Sequence, residues 1–406
     1  MSEARESALA PCPPHVPAGL VRDFDLYDGP GLGGGYAPDI HKLWKAFQDT
    51  HPPVFWTPRN GGHWVLTRHD VIREVALDPA RFSSRDIFVP QGTAPFLIPT
   101  NSDAPLHSRY RRLMDPFFSP AALARVTDAA RDVAAEMIDR IRPKGRCEFM
   151  SEFASVMPVV AFMTLINLPM EDLDYLLTVA GRFSPSDPEH EHAWADLSGY
   201  VRRQLNLRRE QPEDDFMSRM LEAEIDGRKL TDDEIFSMSL LVISGGLDTV
   251  AISIGFAAAF LAQNPAHRRE LIAHPERIDN AINEMLRRFG VSNIARVAAA
   301  DVELRDATIR AGESVLMMYP LAGLDDAVHD DPLTVDYQRR NPQHLVFGTG
   351  PHTCIGNRLG KREIRLFIEE WLKRIPDFEL APGTEPKVKC GIVNQIEELH
   401  LVWDAG

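Results

Sequence analysis

Cys354 is the residue whose surroundings most strongly indicate chemistry. It lies in the loop Phe347-Gly-Thr-Gly-Pro-His-Thr-Cys-Ile-Gly356, directly before a predicted helix. The three glycines of this loop would let the backbone approach a flat ligand closely. Amide N–H groups and the N-terminal dipole of the helix would stabilise a thiolate at this position. An ordinary glycine-rich turn with an inert cysteine is the alternative, and this segment alone leaves both interpretations open.

A second group combines glycines, an acid and a hydroxyl inside a long apolar stretch. Gly245-Gly-Leu-Asp-Thr249 lies within residues 235–262, and each glycine costs about 1 kcal/mol in a helix interior. Asp248 and Thr249 also need hydrogen-bond partners there. A local opening of the helix would place both beside a cavity, where a small ligand or water completes their hydrogen bonds. A packing notch for a crossing helix is the alternative, but the adjacent acid and hydroxyl favour a site.

Two charged pairs have helical spacing. Glu284 and Arg287 are three residues apart, which by itself is typical of a surface salt bridge that stabilises little. His107 and Arg111 are four residues apart and could clamp a carboxylate from one helix face. Two solvated charges on a surface helix are the simpler explanation of this second pair.

A mainly helical framework with a few short strands is predicted to position these residues. Thr231-Asp-Asp-Glu234 forms a predicted capping box where the long apolar helix begins, and Asn264-Pro265 ends that helix. Asp248 and the central glycines favour a buried helix over a membrane span. The remaining predicted elements are two short strands around the Gly61-Gly62 turn, strands over 302–318 around Ala311-Gly312, and helices over 121–141, 157–166, 171–181, 279–289 and 356–374.

Charge and cysteine content limit the possible functions. The 406 residues carry a net charge of −15, which argues against coating nucleic acid and against binding anionic membranes. The cysteines at 12, 147, 354 and 390 form no CxxC pair, which disfavours a disulfide framework and a structural zinc site and favours a reducing, cytoplasmic location. The N-terminal residues show no targeting signal, and their prolines predict an extended arm.

Taken together, the four features resemble those of the cytochrome P450 family of haem-thiolate monooxygenases. The family patterns FxxGxxxCxG, [AG]Gx[DE]T, ExxR and HxxxR all occur in the expected order and spacing. Segments such as PPHVP, GGHW, SGGLDTV, ELIAHPERI and RIPDF are similar to the bacterial camphor-hydroxylase branch. The resemblance implies a mainly α cytochrome P450 fold, a single large helical domain with small β-sheets over 17–406, preceded by a proline-rich arm over 1–16.

This resemblance implies a role for each conspicuous residue. Cys354 is expected to be the thiolate ligand of the iron of haem b. Asp248 and Thr249 are expected to hold and relay protons to bound O2, and Gly245 to lie where the helix opens for oxygen. The other expected roles are a buried structural network for Glu284 and Arg287, binding of the haem propionates by His107, Arg111, Arg296 and His352, and further haem contacts by Phe347, Gly348, Gly350 and Gly356.

The substrate pocket is expected to differ from that of camphor-binding relatives. Those relatives place a tyrosine where this chain reads Ala94-Pro95-Phe96, and no tyrosine lies between Ser83 and Arg109. The residues expected to line the pocket are Phe88, Pro95, Phe96, Leu241, Ser244, Val291, Ser292 and Val393. Camphor is therefore disfavoured, and a compact terpenoid or norisoprenoid is favoured. An epoxidase or C–C cleaving relative, a haem-thiolate sensor without turnover and a haem-free helical scaffold remain as alternatives.

Electrons are expected to arrive from another protein, because the chain has no flavin, NAD or Fe–S motif. Small bacterial relatives use an acidic [2Fe–2S] ferredoxin with its reductase, and a basic patch would dock it by charge. Ordinary solvated helix charges are the alternative explanation of these cations. The residues expected to form the patch are Arg109, Arg111, Arg112, Arg358, Lys361 and Arg362. The chain is otherwise expected to be a cytoplasmic monomer.

Overall fold

Segments far apart in the sequence come together in two units in the computed structural model, which describes residues 9–29, 32, 35–183, 189 and 192–405. The first unit contains the described residues up to Ala94, together with Arg277–Cys354 and Glu385–Glu398. The second contains Pro95–Glu276, Ile355–Thr384 and the chain from Leu399 onward. Residues 1–8 of the predicted N-terminal arm lie outside the described residues.

Helices and short strands alternate along the chain. The helices are α1 Ile40–Thr50, α2 His69–Ala76, α3 Leu106–Met114, α4 Pro120–Ile141, α5 Val156–Ile166, α6 Leu173–Gly181, α7 Ala193–Glu210, α8 Phe216–Glu222, α9 Asp232–Gly245, α10 Thr249–Gln263, α11 Pro265–Ala273, α12 Ile278–Arg288, α13 Tyr319–Ala322 and α14 Asn357–Arg374. The strands are β1 Val54–Thr57, β2 His63–Leu66, β3 Phe82–Ser83, β4 Arg146–Glu148, β5 Glu224–Ile225, β6 Arg228–Lys229, β7 Ile294–Ala298, β8 Val302–Leu304, β9 Ala307–Ile309, β10 Ser314–Met317, β11 Glu379–Leu380, β12 Lys387–Lys389, β13 Gln395–Glu398 and β14 His400–Val402. The predicted helices are confirmed to within a few residues.

A five-stranded sheet in the order β1-β2-β10-β7-β3 organises the first unit. The β1 and β2 strands form the antiparallel hairpin predicted around Gly61-Gly62. The turn expected at Ala311-Gly312 does not join two paired strands. Instead β8 pairs with β9, and β10 lies between β2 and β7. All four residues of β10 are buried, so this strand is covered on both faces inside the large sheet, which the end of a small hairpin could not provide.

Helix packing organises the second unit. The long helix α4 packs against α14 and α5, and small residues such as Ala130 and Ala161 let the helices approach closely at a shared apolar cluster. Arg131 of α4 adds ion pairs to Glu369, at 2.8 Å, and to Glu370 of α14. A three-stranded sheet in the order β11-β14-β4 completes this unit.

The long apolar stretch of the sequence is folded as two helices with a break. Thr231 and Glu234 form the predicted capping box: the Glu234 amide donates to Thr231 Oγ1 at 3.2 Å and the Thr231 amide to Glu234 Oε2 at 2.7 Å. The first helix ends at Gly245 and the second begins at Thr249. By length and composition, Asp232–Gln263 is the one described stretch that could cross a membrane. Most of its residues are buried within the protein, and the break lies near its centre.

Part of the predicted arm packs on the first unit. The Ala10 amide donates a hydrogen bond to the Pro58 carbonyl at 2.9 Å, and Val16 is buried. His15 lies 3.1 Å from the Glu313 carboxylate. The described residues of the arm, 9–16, therefore have fixed contacts. The division into an arm over 1–16 and a domain over 17–406 stays a prediction.

Candidate functional site

The Cys354 loop is a tight turn that depends on its glycines. Gly348 and Gly350 have φ angles of +69° and +73°, which side chains disfavour. A Cβ on Gly350 would also lie 2.9 Å from Leu77 Cδ2. The Cys354 amide donates to the Phe347 carbonyl at 2.8 Å, which closes the loop. The cysteine is exposed and α14 begins three residues later, with Gly356 as its N-cap.

Two other cysteines differ from Cys354 in their solvent exposure. Cys147 and Cys390 are buried. Loss of solvation raises the pKa of the Cys147 thiol well above its usual range and that of Cys390 to about 12. Both thiols are therefore neutral and unreactive near pH 7. Cys147 and Cys390 therefore act as buried packing residues.

The first unit also holds two of the predicted propionate partners. Arg296 lies on β7 and is buried, with Nη1 donating to the Ala295 carbonyl at 2.9 Å. His352 lies in the Cys354 loop, and its Nε2 is 3.0 Å from Ser84 Oγ. A guanidinium and an imidazole are the kinds of donor that a group bearing carboxylates requires, and an exposed cysteine is the kind of ligand that a thiolate-ligated group requires.

Glu284 and Arg287 are fully buried and form a network rather than a surface pair. Two parallel hydrogen bonds of 2.7 Å join the guanidinium to the carboxylate. Arg287 also donates to the carbonyls of Gly323 and Pro332, each at 2.7 Å. The Glu284 carboxylate accepts further from Arg339 Nε at 3.0 Å. The pair thus fixes three chain segments at one point, which its spacing alone does not reveal.

The helix break between α9 and α10 has one crowded and one open side. At Gly246 a Cβ would lie 2.4 Å from the ring of Phe162 on α5, so only glycine fits this contact. At Gly245, among the described residues outside its own helix backbone and its chain neighbours, no atom lies within 4 Å of the position of a Cβ. Gly246 therefore forms the packing notch, while the role of Gly245 beside an opening for a small ligand stays a prediction.

Asp248 and Thr249 lie at the start of α10, as predicted for a local opening. The Asp248 carbonyl accepts the Ile252 amide at 3.0 Å, so the helix hydrogen bonding resumes at once. Asp248 is half-buried, and desolvation of its carboxyl raises its pKa to about 6, against the opposing effect of hydrogen bonds from the amides of Thr249 and Asp248. A carboxyl with a pKa near the working pH can both give and take a proton.

His107 and Arg111 lie one turn apart on α3 in the second unit. His107 is buried, and its backbone amide donates to the Asp103 carbonyl at 3.0 Å. Arg111 is half-buried, with Nε 3.3 Å from Asp115 Oδ1. Burial of the histidine argues against two fully solvated surface charges.

The predicted pocket residues fall into groups within each unit. On α9, Leu241 and Ser244 are half-buried, and Ser244 Oγ donates to the Leu241 carbonyl at 3.1 Å. Pro95 is half-buried, and 55% of Phe96 is exposed. Phe88, in the first unit, is half-buried.

A short β-bridge in the first unit places two predicted pocket residues, Ser292 and Val393, on one face and a third, Val291, on the other. Ser292 pairs with Val393 in an antiparallel bridge, so their side chains share one face. Val291 is buried on the opposite face with Asn293. Asn293, which has no exposed surface, fixes the bridge: its amide donates to the Ile392 carbonyl at 2.7 Å, and its side chain to a neighbouring carbonyl.

The predicted docking cations differ in their surroundings. Arg109 forms an ion pair with Asp226, and Arg111 lies beside Asp115. Arg112 and Arg358 are exposed, whereas Lys361 and Arg362 are half-buried.

Ser237 is not among the predicted pocket residues, although it lies on the same helix as Leu241 and Ser244. Its hydroxyl hydrogen-bonds the backbone on both sides of Leu97. The signal was a serine four residues before Leu241 on an apolar helix.

The sequence and the fold of this chain are similar to those of known proteins. The Cytochrome P450 family profile matches residues 147–398. The probable cytochrome P450 127A1 of Sinorhizobium fredii (strain NBRC 101917 / NGR234) is 35% identical, over 99% of this chain and all of its own. The crystal structure of CYP101J2 has a TM-score of 0.88 and 36% identity, covering 98% of this chain and 100% of that one. That of CYP101C1 has a TM-score of 0.88 and 34% identity, covering 97% and 100%.

These similarities extend over nearly the whole chain. They confirm the mainly α fold with small sheets and the resemblance to the camphor-hydroxylase branch. Members of this family carry haem b and use O2. The chain therefore belongs to the cytochrome P450 family.

Proposed function

We propose that this monooxygenase hydroxylates a compact, mainly apolar terpenoid or norisoprenoid with electrons from a [2Fe–2S] ferredoxin and its reductase. The observation that carries the proposal is an exposed cysteine at the end of a glycine-dependent loop, in a chain whose central helix is broken at Asp248 and Thr249. When bound, haem b supplies the activation of O2, so that one oxygen atom enters a C–H bond and the other leaves as water. We also propose that the chain acts as a cytoplasmic monomer.

Cys354 is the proposed iron ligand. A thiolate is needed for this role, and the start of α14 favours the anionic form through its amides and its dipole. The positive φ angles at Gly348 and Gly350 keep side chains away from the loop surface, as a planar ligand requires. Phe347 and Gly356 complete the loop on either side of the cysteine.

Four cationic or N–H groups are proposed to hold the haem propionates. These groups are Arg296, His352, His107 and Arg111, as the resemblance to the family implies. Buried positions at Arg296 and His107 would strengthen their hydrogen bonds to carboxylates, because less water competes for the donors.

Asp248 and Thr249 are proposed to deliver the protons that oxygen activation consumes. A carboxyl with a pKa of about 6 is protonated in part at neutral pH and can be refilled after it gives up its proton. The Thr249 hydroxyl is the neighbouring group through which the proton passes. The open space beside Gly245 leaves room for a small ligand.

The pocket composition supports a substrate other than camphor. The segment around Pro95 and Phe96 offers no phenol that could donate to a ketone. Instead, the resemblance assigns the polar groups of Ser244 and Ser292 and the apolar side chains of Leu241 and Val393 to the pocket lining. Ser244 already donates to a backbone carbonyl, so it would contribute one weak polar contact rather than a dedicated ketone anchor.

Carbon monoxide and Cys354→Ser test the core of this proposal. The reduced wild-type protein with carbon monoxide is expected to show the red-shifted Soret band that thiolate ligation produces, and Cys354→Ser to lose it completely. Cys12→Ser is the matched control, since Cys12 is also exposed. A wild-type protein without the band would contradict the proposal.

A spin-state titration tests the substrate class. Binding of β-ionone or a related terpenoid is expected to shift the Soret band from low spin to high spin, whereas camphor is expected to give a weak shift. A strong shift with camphor and none with a panel of terpenoids would rule out the proposed class. Product formation with ferredoxin and its reductase separates an enzyme from a haem-thiolate sensor.

A further inference from the structure

A serine on α9 ties the segment at Phe96 to this helix. Ser237 lies in an apolar part of α9, and only 7% of it is exposed. Its hydroxyl donates to the Phe96 carbonyl at 2.5 Å and accepts from the Ile98 amide at 2.9 Å. One hydroxyl therefore provides hydrogen-bond partners for both a carbonyl and an amide of another segment, and these two bonds attach that segment to the helix.

Contacts on the far side of Leu97 hold the same segment. Leu97 and Ile98 are buried in the apolar cluster to which α9 contributes. The Leu97 amide donates to Asn101 Oδ1, and the Asn101 amide to the Leu97 carbonyl, both at 2.8 Å. The backbone of the segment is thus fixed from both sides, although 55% of Phe96 itself is exposed.

The two hydrogen bonds between Ser237 and the Phe96–Ile98 backbone, which we call the clamp, start from the face of α9 that carries the proposed pocket residues Leu241 and Ser244. Ser237, Leu241 and Ser244 are spaced by four and three residues, so they line one face, which we call the pocket face. At 1.5 Å per residue, this face extends about 10 Å from Ser237 to Ser244. One turn before Ser237, Glu234 accepts a 2.6 Å hydrogen bond from the Tyr110 hydroxyl. Both ends of the stretch from Phe96 to Tyr110 are therefore bound to α9.

We propose that Ser237 is a positioning residue of the substrate pocket. It clamps the Phe96–Ile98 segment to the pocket face of α9 and thereby sets the place from which Phe96 contacts the substrate. This inference rests on the proposed function and on the prediction that Phe96 lines the substrate pocket. Without the hydroxyl, the Ile98 amide and the Phe96 carbonyl would lose their partner at a mostly buried place, and the segment would separate from the helix more often.

Hydrogen exchange on the haem-loaded protein tests the clamp without any substrate. Ser237→Ala is expected to speed exchange of the Ile98 amide by roughly tenfold, because two hydrogen bonds are lost. Ser237→Thr keeps the hydroxyl and is expected to exchange like the wild type. The matched control is Ser239→Ala: Ser239 is buried on the same helix, and its hydroxyl has no hydrogen-bond partner among the described residues. Unchanged exchange in Ser237→Ala would overturn the inference.

A substrate measurement tests the positioning role. In a spin-state titration with β-ionone as the probe, Ser237→Ala is expected to raise the Kd about three- to tenfold. The variant is also expected to give a broader product distribution, while its carbon monoxide spectrum stays unchanged. Faster exchange with wild-type binding and products would overturn the inference and leave the proposed function standing. If the wild type itself lacks the red-shifted band, the proposed function has failed instead.

Discussion

Asp248 shows how one side chain can gain a function from its surroundings. A carboxyl in the middle of an apolar stretch would be costly if charged. The break between α9 and α10 places it at a helix start, where backbone amides stabilise the charged form. Desolvation outweighs this effect, so the pKa rises to about 6 rather than falling. An acid that changes charge near neutral pH is suited to proton transfer.

Removing this acid should slow turnover and leave the haem in place. For Asp248→Asn we expect a loss of about 10²-fold or more in product formation, the usual contribution of a positioned proton donor. The carbon monoxide spectrum and the affinity for β-ionone should not change, because the amide has nearly the same shape. Steady-state product assays with ferredoxin measure the loss. Wild-type turnover in the variant would contradict the proposed relay.

The raised pKa also predicts how stability depends on pH. The folded-state pKa lies above the ordinary value of 3.8, so the protonated carboxyl favours folding below about pH 4 and this contribution is lost as the pH rises through about 6. Relative to Asp248→Asn, the wild type should therefore lose about 2 kcal/mol of unfolding free energy between pH 4 and pH 7. Chemical denaturation of both proteins at several pH values measures this difference, and parallel pH profiles would contradict it.

At the scale of helices, the glycine pair at the end of α9 serves two purposes. Gly246 lets α9 approach the Phe162 ring, while Gly245 faces open space. The break is therefore supported by packing from α5 and does not depend only on the weak helix propensity of glycine. This packing keeps Asp248 and Thr249 at a defined helix start.

The two glycines should respond differently to alanine. Gly246→Ala is expected to destabilise the protein by about 1–3 kcal/mol, because the new Cβ would overlap the Phe162 ring. Gly245→Ala should change the unfolding free energy by less than about 1 kcal/mol. Denaturant titration compares the two variants. Partial recovery in the double variant Gly246→Ala with Phe162→Leu would identify the ring as the cause.

The ion pair of α12 is a structural unit of the same scale. Glu284 and Arg287 are fully buried, with side-chain exposures of 0% and 0%. Truncating one partner, as in Arg287→Ala, should cost about 3–5 kcal/mol because it strands a buried carboxylate. Arg305→Ala, which breaks an exposed pair with Asp70, should cost less than about 1 kcal/mol. Equal losses in the two variants would show that burial does not govern the effect.

At the scale of the whole molecule, the net charge of −15 hides local differences. An acidic protein is expected to repel an acidic partner unless cations are concentrated where the partner docks. Two of the proposed docking residues, Arg109 and Arg111, have carboxylates beside them. Arg112 and Arg358 are exposed and are therefore better placed to meet a partner.

Charge reversal at these two residues tests the docking proposal. Arg112→Glu with Arg358→Glu should lower ferredoxin-supported turnover at low salt by about tenfold or more, and the defect should shrink as salt screens the charges. Binding of β-ionone should be unaffected. Arg269→Glu changes an exposed arginine of α11 and is the control. A double variant with normal turnover at low salt would contradict the patch.

The sequence alone determined those features that depend on nearby residues. The capping box at Thr231, the helix break at Gly245 and the loop before α14 follow from local backbone preferences. Spacing of a few residues also sufficed to indicate the family. Tertiary structure decided what depends on distant contacts. Burial separated the Glu284–Arg287 pair from a surface salt bridge, and the β10 strand found partners in the large sheet rather than across Gly312. Ser237 gained its partners from a segment about 140 residues away in the sequence, because hydrogen bonds between distant segments form only when the chain folds.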